Sequence, residues 1–154
     1  MIMGMNNSID NWMMGTTTTD NAVAGAVGEM IESNVALEGA ISLTTATVAA
    51  VTSITLTPGD WQVFGNVFFV PAALTVITNL IGSVSFNSFA HPTPPGAGAF
   101  SSHSLAFPLN STQGFYVGQR RISTAGVNIY LAVSAVFITS TLTAYGYIGA
   151  RRMR

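Results

Sequence analysis

Residues 60–70 alternate along their whole length. Trp61, Val63, Gly65, Val67 and Phe69 fall on one face of an extended chain, and Gln62, Phe64, Asn66, Phe68 and Val70 on the other. A period of two marks a strand, because successive side chains point to opposite faces of the sheet. The period recurs at 127–138, where Ile129, Leu131, Val133, Ala135 and Phe137 oppose Asn128, Tyr130, Ala132, Ser134 and Val136. In 142–151, Leu142, Ala144, Gly146 and Ile148 oppose Thr143, Tyr145, Tyr147 and Gly149. Within 74–86 the even positions Leu74, Val76, Leu80, Val84 and Phe86 are apolar against Ser83, Ser85 and Asn87, which predicts two short strands. Valine, threonine and aromatic residues, abundant in these runs, suit a pleated, half-buried surface.

Further strands are expected at 40–45, 48–57, 104–108 and 115–123. Residues 22–36 read as a short helix or an irregular strand, since Gly25 and Gly28 weaken a helix. Pro58-Gly59 is a type II turn signal and predicts a hairpin between 54–57 and 61–69. The Thr139-Ser140-Thr141 run predicts a second hairpin, pairing 127–138 with 142–151. Residues 89–102 are rich in Pro, Gly and Ala and long for a loop, which makes them a candidate functional tip carrying His91, Pro94, Pro95 and Phe100. About eight short strands with regular turns predict an all-β fold, an antiparallel β-sandwich or jelly roll. It would occupy residues 21–154 as one domain, after an arm and polar linker over 1–20.

Charge is scarce. Charged residues make up 7% of the chain against a usual figure of roughly 25%, and hydrophobic residues make up 49%. Mean hydropathy is +0.48. Such a surface calls for cover, by lipid or by protein. The two candidate spans, 63–80 and 129–150, contain Gly, Pro, Asn and several Thr and Ser. They are too polar and too β-branched for spanning helices, which need about 20 predominantly apolar residues. No membrane span is expected, and residues 1–15 lack the basic start of a secretory signal.

The few charges are segregated. All six acids (Asp10, Asp20, Glu29, Glu32, Glu38 and Asp60) precede all five bases (Arg120, Arg121, Arg151, Arg152 and Arg154). The two halves are therefore expected to meet, with Glu29, Glu32 and Glu38 pairing the arginines of 151–154, within one subunit or between subunits. Five arginines without lysine or interleaved aromatics are a weak nucleic-acid footprint, and no nucleic-acid partner is expected. There is no cysteine, the two histidines lack nearby acids, and no phosphate-binding glycine motif occurs. No metal, cofactor or catalytic residue is predicted, and the chain is not expected to be an enzyme. Asp60, just after the turn, is expected to do no more than stabilise it.

Four segments carry a resemblance: TTDNAVAGAVGEMI, LTTATVAAVTSITLTPGDWQVFGNVFF, NIYLAVSAVF and AYGYIGARRMR. They resemble a recurring module of tailed-phage and prophage virion structural proteins, with the pattern G-D-W followed by A-Y-G-x-I-x-A-R-R-x-R. Here the match falls on Gly59, Asp60 and Trp61, then on Ala144, Tyr145, Gly146, Ile148, Ala150, Arg151, Arg152 and Arg154, and it extends over most of the chain from about residue 20. The resemblance implies a jelly-roll-like sandwich of the tumour necrosis factor-like kind, assembled as a homotrimer on the phage particle surface after synthesis in the bacterial host cytoplasm. The family's outward face after G-D-W is polar, whereas this chain places Phe64, Phe68 and Val70 there.

An apolar outward face predicts a protein interface. The expected oligomer interface comprises Phe64, Phe68, Val70, Tyr145, Tyr147, Arg151, Arg152 and Arg154, with Gly146, Gly149 and Ala150 admitting a neighbouring chain. Residues 1–15 hold Met3, Met5, Trp12, Met13 and Met14, and read either as an arm docking on major capsid or tail proteins or as a loose terminus. The predicted role is capsid decoration, cement or head fibre. The alternative is a tail-fibre or spike head that binds a host-surface glycan.

Overall fold

The computed structural model describes residues 21–93, 99–104, 106–107 and 110–154, and only the backbone of Gln119. Its strands are β1 (Met30–Val35), β2 (Ile41–Ser42), β3 (Ala49–Leu56), β4 (Gly59–Pro71), β5 (Val76–Ser85), β6 (Phe100–His103), β7 (Gln113–Thr124), β8 (Val127–Ile138) and β9 (Leu142–Arg152). One sheet has the order β1-β9-β4-β7, with the short β2 also on β9; the other has the order β3-β8-β5-β6. Every pairing is antiparallel. With β2 set aside, the first strand pairs the last, the second the next to last, and so inward to β5 with β6. That is a long hairpin rolled into two facing sheets, a jelly roll.

The alternation seen in the sequence builds the core. Trp61, Val63, Val67 and Phe69 of β4 face Ile129, Leu131, Val133 and Ala135 of β8 across the sandwich, all buried, with Ala144 and Ile148 of β9 and Val117 of β7 between them. Gly146 lets β9 lie tightly against β4, because a Cβ there would run into the Asn66 carbonyl. The apolar residues 144, 146 and 148 therefore serve packing within the chain. Gly149 does likewise beneath the Tyr147 ring, and Ala150 is fully buried. None of the three stands open to a neighbouring chain, as the sequence had suggested.

Several sequence expectations are corrected. Pro58-Gly59 does not close a hairpin, for β3 and β4 belong to different sheets. The turn carries the chain over the end of the sandwich, from buried Leu56 on one side to buried Trp61 on the other. Likewise β8 and β9 lie in opposite sheets, and the turn at 139–141 crosses between them. A local turn signal encodes reversal but not the sheet that receives the returning strand. Residues 74–86 form one strand rather than two. A bulge between Ile77 and Asn79 resets its alternation, so Ile77, Leu80 and Val84 are buried while Leu74 and Phe86 lie exposed beyond its ends. The described residues of the predicted strand at 104–108 are not strand, β6 lies just upstream, and 40–45 contracts to β2. Residues 22–36 resolve into turns followed by β1.

Candidate interaction site

The charged residues gather where β4 begins and β9 ends. Arg152 faces inward there, opposite Trp61 in the β4–β9 register. Its Nε donates to Glu29 Oε2 at 2.8 Å, NH1 to the Pro58 carbonyl at 2.7 Å and NH2 to Thr57 Oγ1, while the guanidinium lies 4.3 Å from the Trp61 ring centroid. Trp61 is anchored in turn, Nε1 donating to the Thr57 carbonyl at 2.9 Å. Burial alone would raise the Glu29 pKa, but the Gly25 N–H and the Arg152 guanidinium overcome it and the net shift is downward. The expected contact between the acidic and basic halves thus forms within one chain. The Arg152 side chain is buried among Glu29, Thr57, Pro58 and Trp61 of its own chain. Arg152 is a core clamp rather than part of a subunit boundary.

Asp60 lies on the outer side of the same sheet end, also buried. Its Oδ2 accepts from Arg121 NH2 at 2.9 Å and from Arg154 Nε, and its Oδ1 is buried without a hydrogen-bond partner. Arg121, then the Ser123 hydroxyl and Arg154, hold its carboxyl down at about 2 against an ordinary 3.8. Asp60 is therefore the hub of an ion cluster rather than a turn cap. Sequence reading missed it, and missed Arg121, because the partners come from β7 and from beyond β9. Gln62, Arg120, Arg121, Met153 and Arg154 line a pocket of about 480 Å³ at this end. Arg120 stacks on the Phe86 ring at 4.3 Å and has no carboxylate partner among the described residues.

The outer face of the β1-β9-β4-β7 sheet continues from this cluster as paired rings. Phe64 lies 6.2 Å from Tyr147, tilted, and Phe68 lies stacked 5.1 Å from Tyr145. The rings lie down on the sheet over glycines, Phe68 over Gly114 and Tyr147 over Gly149. Phe64, Phe68, Val70, Tyr145 and Tyr147 are therefore half-buried by their own sheet, not the fully exposed apolar face expected from the sequence. Tyr116, on neighbouring β7, is 50% exposed and extends the ring surface. The Tyr147 hydroxyl donates to Glu32 at 2.9 Å; burial and this carboxylate push its pKa up to about 12. Arg151 and Arg154 are exposed and do not pair with the expected acids: Arg154 bonds Asp60 instead, and neither Arg151 nor Glu38 makes an ion pair among the described residues.

His91 is not a tip residue. Its Nδ1 meets Ser83 Oγ at 2.7 Å, its Nε2 meets Ser134 Oγ at 2.8 Å, and its ring packs edge-on to Phe100 at 5.8 Å. It fastens the chain after β5 across the outer face of the β3-β8-β5-β6 sheet, helped by the Ser85 hydroxyl donating to the Ala90 carbonyl. Both serines are buried, and no carboxylate among the described residues bonds the ring; the group clasps the chain to the sheet. Phe100 opens β6 and is half-buried. Pro94 and Pro95 lie outside the described residues, as do Met3, Met5, Trp12, Met13 and Met14 of the proposed docking arm. Among the described residues no cluster of three His, Cys, Asp or Glu is placed to hold a metal. No helix among them is long and apolar enough to cross a membrane.

No protein-family model matches this chain, and no curated protein does. Among solved structures it aligns with viral particles. A structure of infectious bursal disease virus, Gx strain, is 9% identical with a TM-score of 0.48, over 91% of this chain and 37% of that one. The T13 particle of the same virus is 11% identical with a TM-score of 0.47, over 81% and 31%. Its VP2 subviral particle is 9% identical with a TM-score of 0.40, over 82% and 30%. The chain thus spans about a third of the length of these proteins.

Proposed function

We propose that this chain is a non-enzymatic virion structural protein of a bacteriophage, which self-associates, as a trimer, on the particle surface and docks on other virion proteins. One observation carries the reading: the outer face of the β1-β9-β4-β7 sheet joins a patch of paired aromatic rings to an arginine-rich pocket. Aromatic residues and arginine are the types enriched at protein interfaces. The motif resemblance supports the same reading. The sandwich supplies a stiff plate, and association supplies the function. Many copies on one particle would let individually weak contacts hold together. The role favoured is capsid decoration, cement or head fibre.

The test is assembly. Phe68→Asp places a charge against Tyr145, and light scattering should show monomer or aggregate where the native chain forms an oligomer. An intact Phe68→Asp oligomer would remove this face from the interface. Deleting residues 1–15 should abolish co-sedimentation with virions while leaving the oligomer whole; unchanged co-sedimentation would end the docking role of the arm. Saturable binding on a glycan array, lost on changing residues 89–102, would instead favour the receptor-binding alternative.

A further inference from the structure

The two edges of the β1-β9-β4-β7 sheet carry opposite charge. Strand β1 forms one edge and β7 the other, with β9 and β4 between them, a width of about 14 Å at about 4.8 Å per strand. Beyond the β1 edge, the 3₁₀ turn Leu37–Gly39 has no buried residue and presents Glu38 beside Leu37, itself 53% exposed. Glu38 has no cationic partner among the described residues. At the β7 edge the pocket is lined by Arg120, Arg121 and Arg154; Arg121 and Arg154 bond one carboxylate, that of Asp60, while the Arg120 guanidinium lies over the Phe86 ring. Arg120 has no anionic partner there, and Met153 lines the same pocket, 48% exposed.

Each edge thus offers what the other lacks, an acid beside an apolar side chain against a cationic pocket with an apolar wall. Glu32, the other acid along β1, is already engaged by the Tyr147 hydroxyl, whereas Glu38 has no such partner among the described residues. Opposite edges of one sheet cannot meet within a chain. They can meet between copies, and a contact that joins two different patches is head-to-tail and closes into a ring when its rotation permits. A ring fits the self-association proposed above, on which this inference rests.

We propose that the Arg120–Arg121–Arg154 pocket receives Glu38 of the next copy of this chain, with Leu37 against Met153. The contact needs two different edges, so each copy gives one and takes one. In a closed ring no edge is left over.

The experiment uses the full chain. Glu38→Arg and Arg120→Glu should each weaken assembly roughly tenfold or more, the scale of losing one partner of an interfacial charge pair. Combining the two should restore it. The chain contains no cysteine, so Leu37→Cys with Met153→Cys introduces its only thiols. On oxidation the pair should give a ladder of linked copies that stops at the ring, while either single variant gives none. Wild-type-sized oligomers from both single charge variants, together with no cross-link, would overturn the contact and leave self-association standing. A native chain that stays monomeric in light scattering at every concentration would overturn both.

Discussion

Arg152 Nε donates to Glu29 Oε2 across 2.8 Å, and both side chains are buried, one at the end of β9 and the other just ahead of β1. The backbone closes the same joint, with Arg152 N–H donating to the Glu29 carbonyl at 2.9 Å and Gly28 N–H to the Arg152 carbonyl at 3.0 Å. A buried pair contributes little over an apolar replacement, but removing one partner strands a charge. Arg152→Met should therefore destabilise the chain by about 3–5 kcal/mol, measured by urea unfolding. The double variant Glu29→Gln/Arg152→Met should lose less than Arg152→Met alone. A double variant as weak as the single would mean that the Trp61 stacking and the bonds to Thr57 and Pro58, rather than the ion pair, give Arg152 its importance.

Acid should destabilise the sandwich through Asp60. Its folded pKa, about 2, lies below its ordinary 3.8. The unfolded chain therefore takes up this proton first, and stability falls as pH falls. The contribution is complete above about pH 4 and disappears as pH drops through about 2. Unfolding midpoints measured from pH 5 to pH 2 should decline, and Asp60→Asn should flatten the lower part of that decline. An unchanged slope in Asp60→Asn would assign the acid sensitivity to Glu29, whose pKa is also lowered.

What the sequence disclosed and what it hid divide along contact range. The inward and outward faces of β4, β8 and β9 followed from a period of two, because burial of one face is imposed on every second residue. The meeting of the acidic and basic halves followed from their segregation, and Glu29 with Arg152 bears it out. The partner of each strand did not follow. Pro58-Gly59 reads alike whether β4 folds back on β3 or crosses to the other sheet. His91 was placed in a functional tip because its partners, Ser83 and Ser134, stand 8 and 43 residues away in the sequence. The outward Phe68 was read as exposed because Gly114, the glycine beneath its ring, comes from the neighbouring strand β7.

The glycines of β9 should respond unequally. A Cβ at Gly146 meets the Asn66 carbonyl, which belongs to the backbone of the neighbouring strand, whereas one at Gly149 meets the movable ring of Tyr147. Gly146→Ala should cost about 1–3 kcal/mol, the range for overpacking a tight core. Gly149→Ala should cost less, because the ring can swing outward. Thermal unfolding of the two variants, compared side by side, checks the order, and an equal cost would mean that Tyr147 is held as firmly as the backbone.

The clasp at His91 should open with acid before the sandwich does. The groups against its ring are the Ser83 and Ser134 hydroxyls and the Phe100 ring, and no acid or base among the described residues contacts it. Burial therefore lowers its pKa below the ordinary 6.5. Released from the sheet the imidazole binds a proton more readily than when clasped, so the clasp is intact above about pH 6.5 and weakens as pH falls from there toward the lowered value. Hydrogen exchange of residues 86–93 should accelerate across that range while the strands β4, β8 and β9 stay protected. His91→Ala should show fast exchange at every pH and lose about 1–3 kcal/mol, because the Ser134 hydroxyl loses its imidazole partner and the Ser83 hydroxyl keeps only its long bond to the Ala132 carbonyl. Exchange of 86–93 that does not change with pH in the native chain would show that the bond from Ser85 to Ala90, and not His91, holds this segment down.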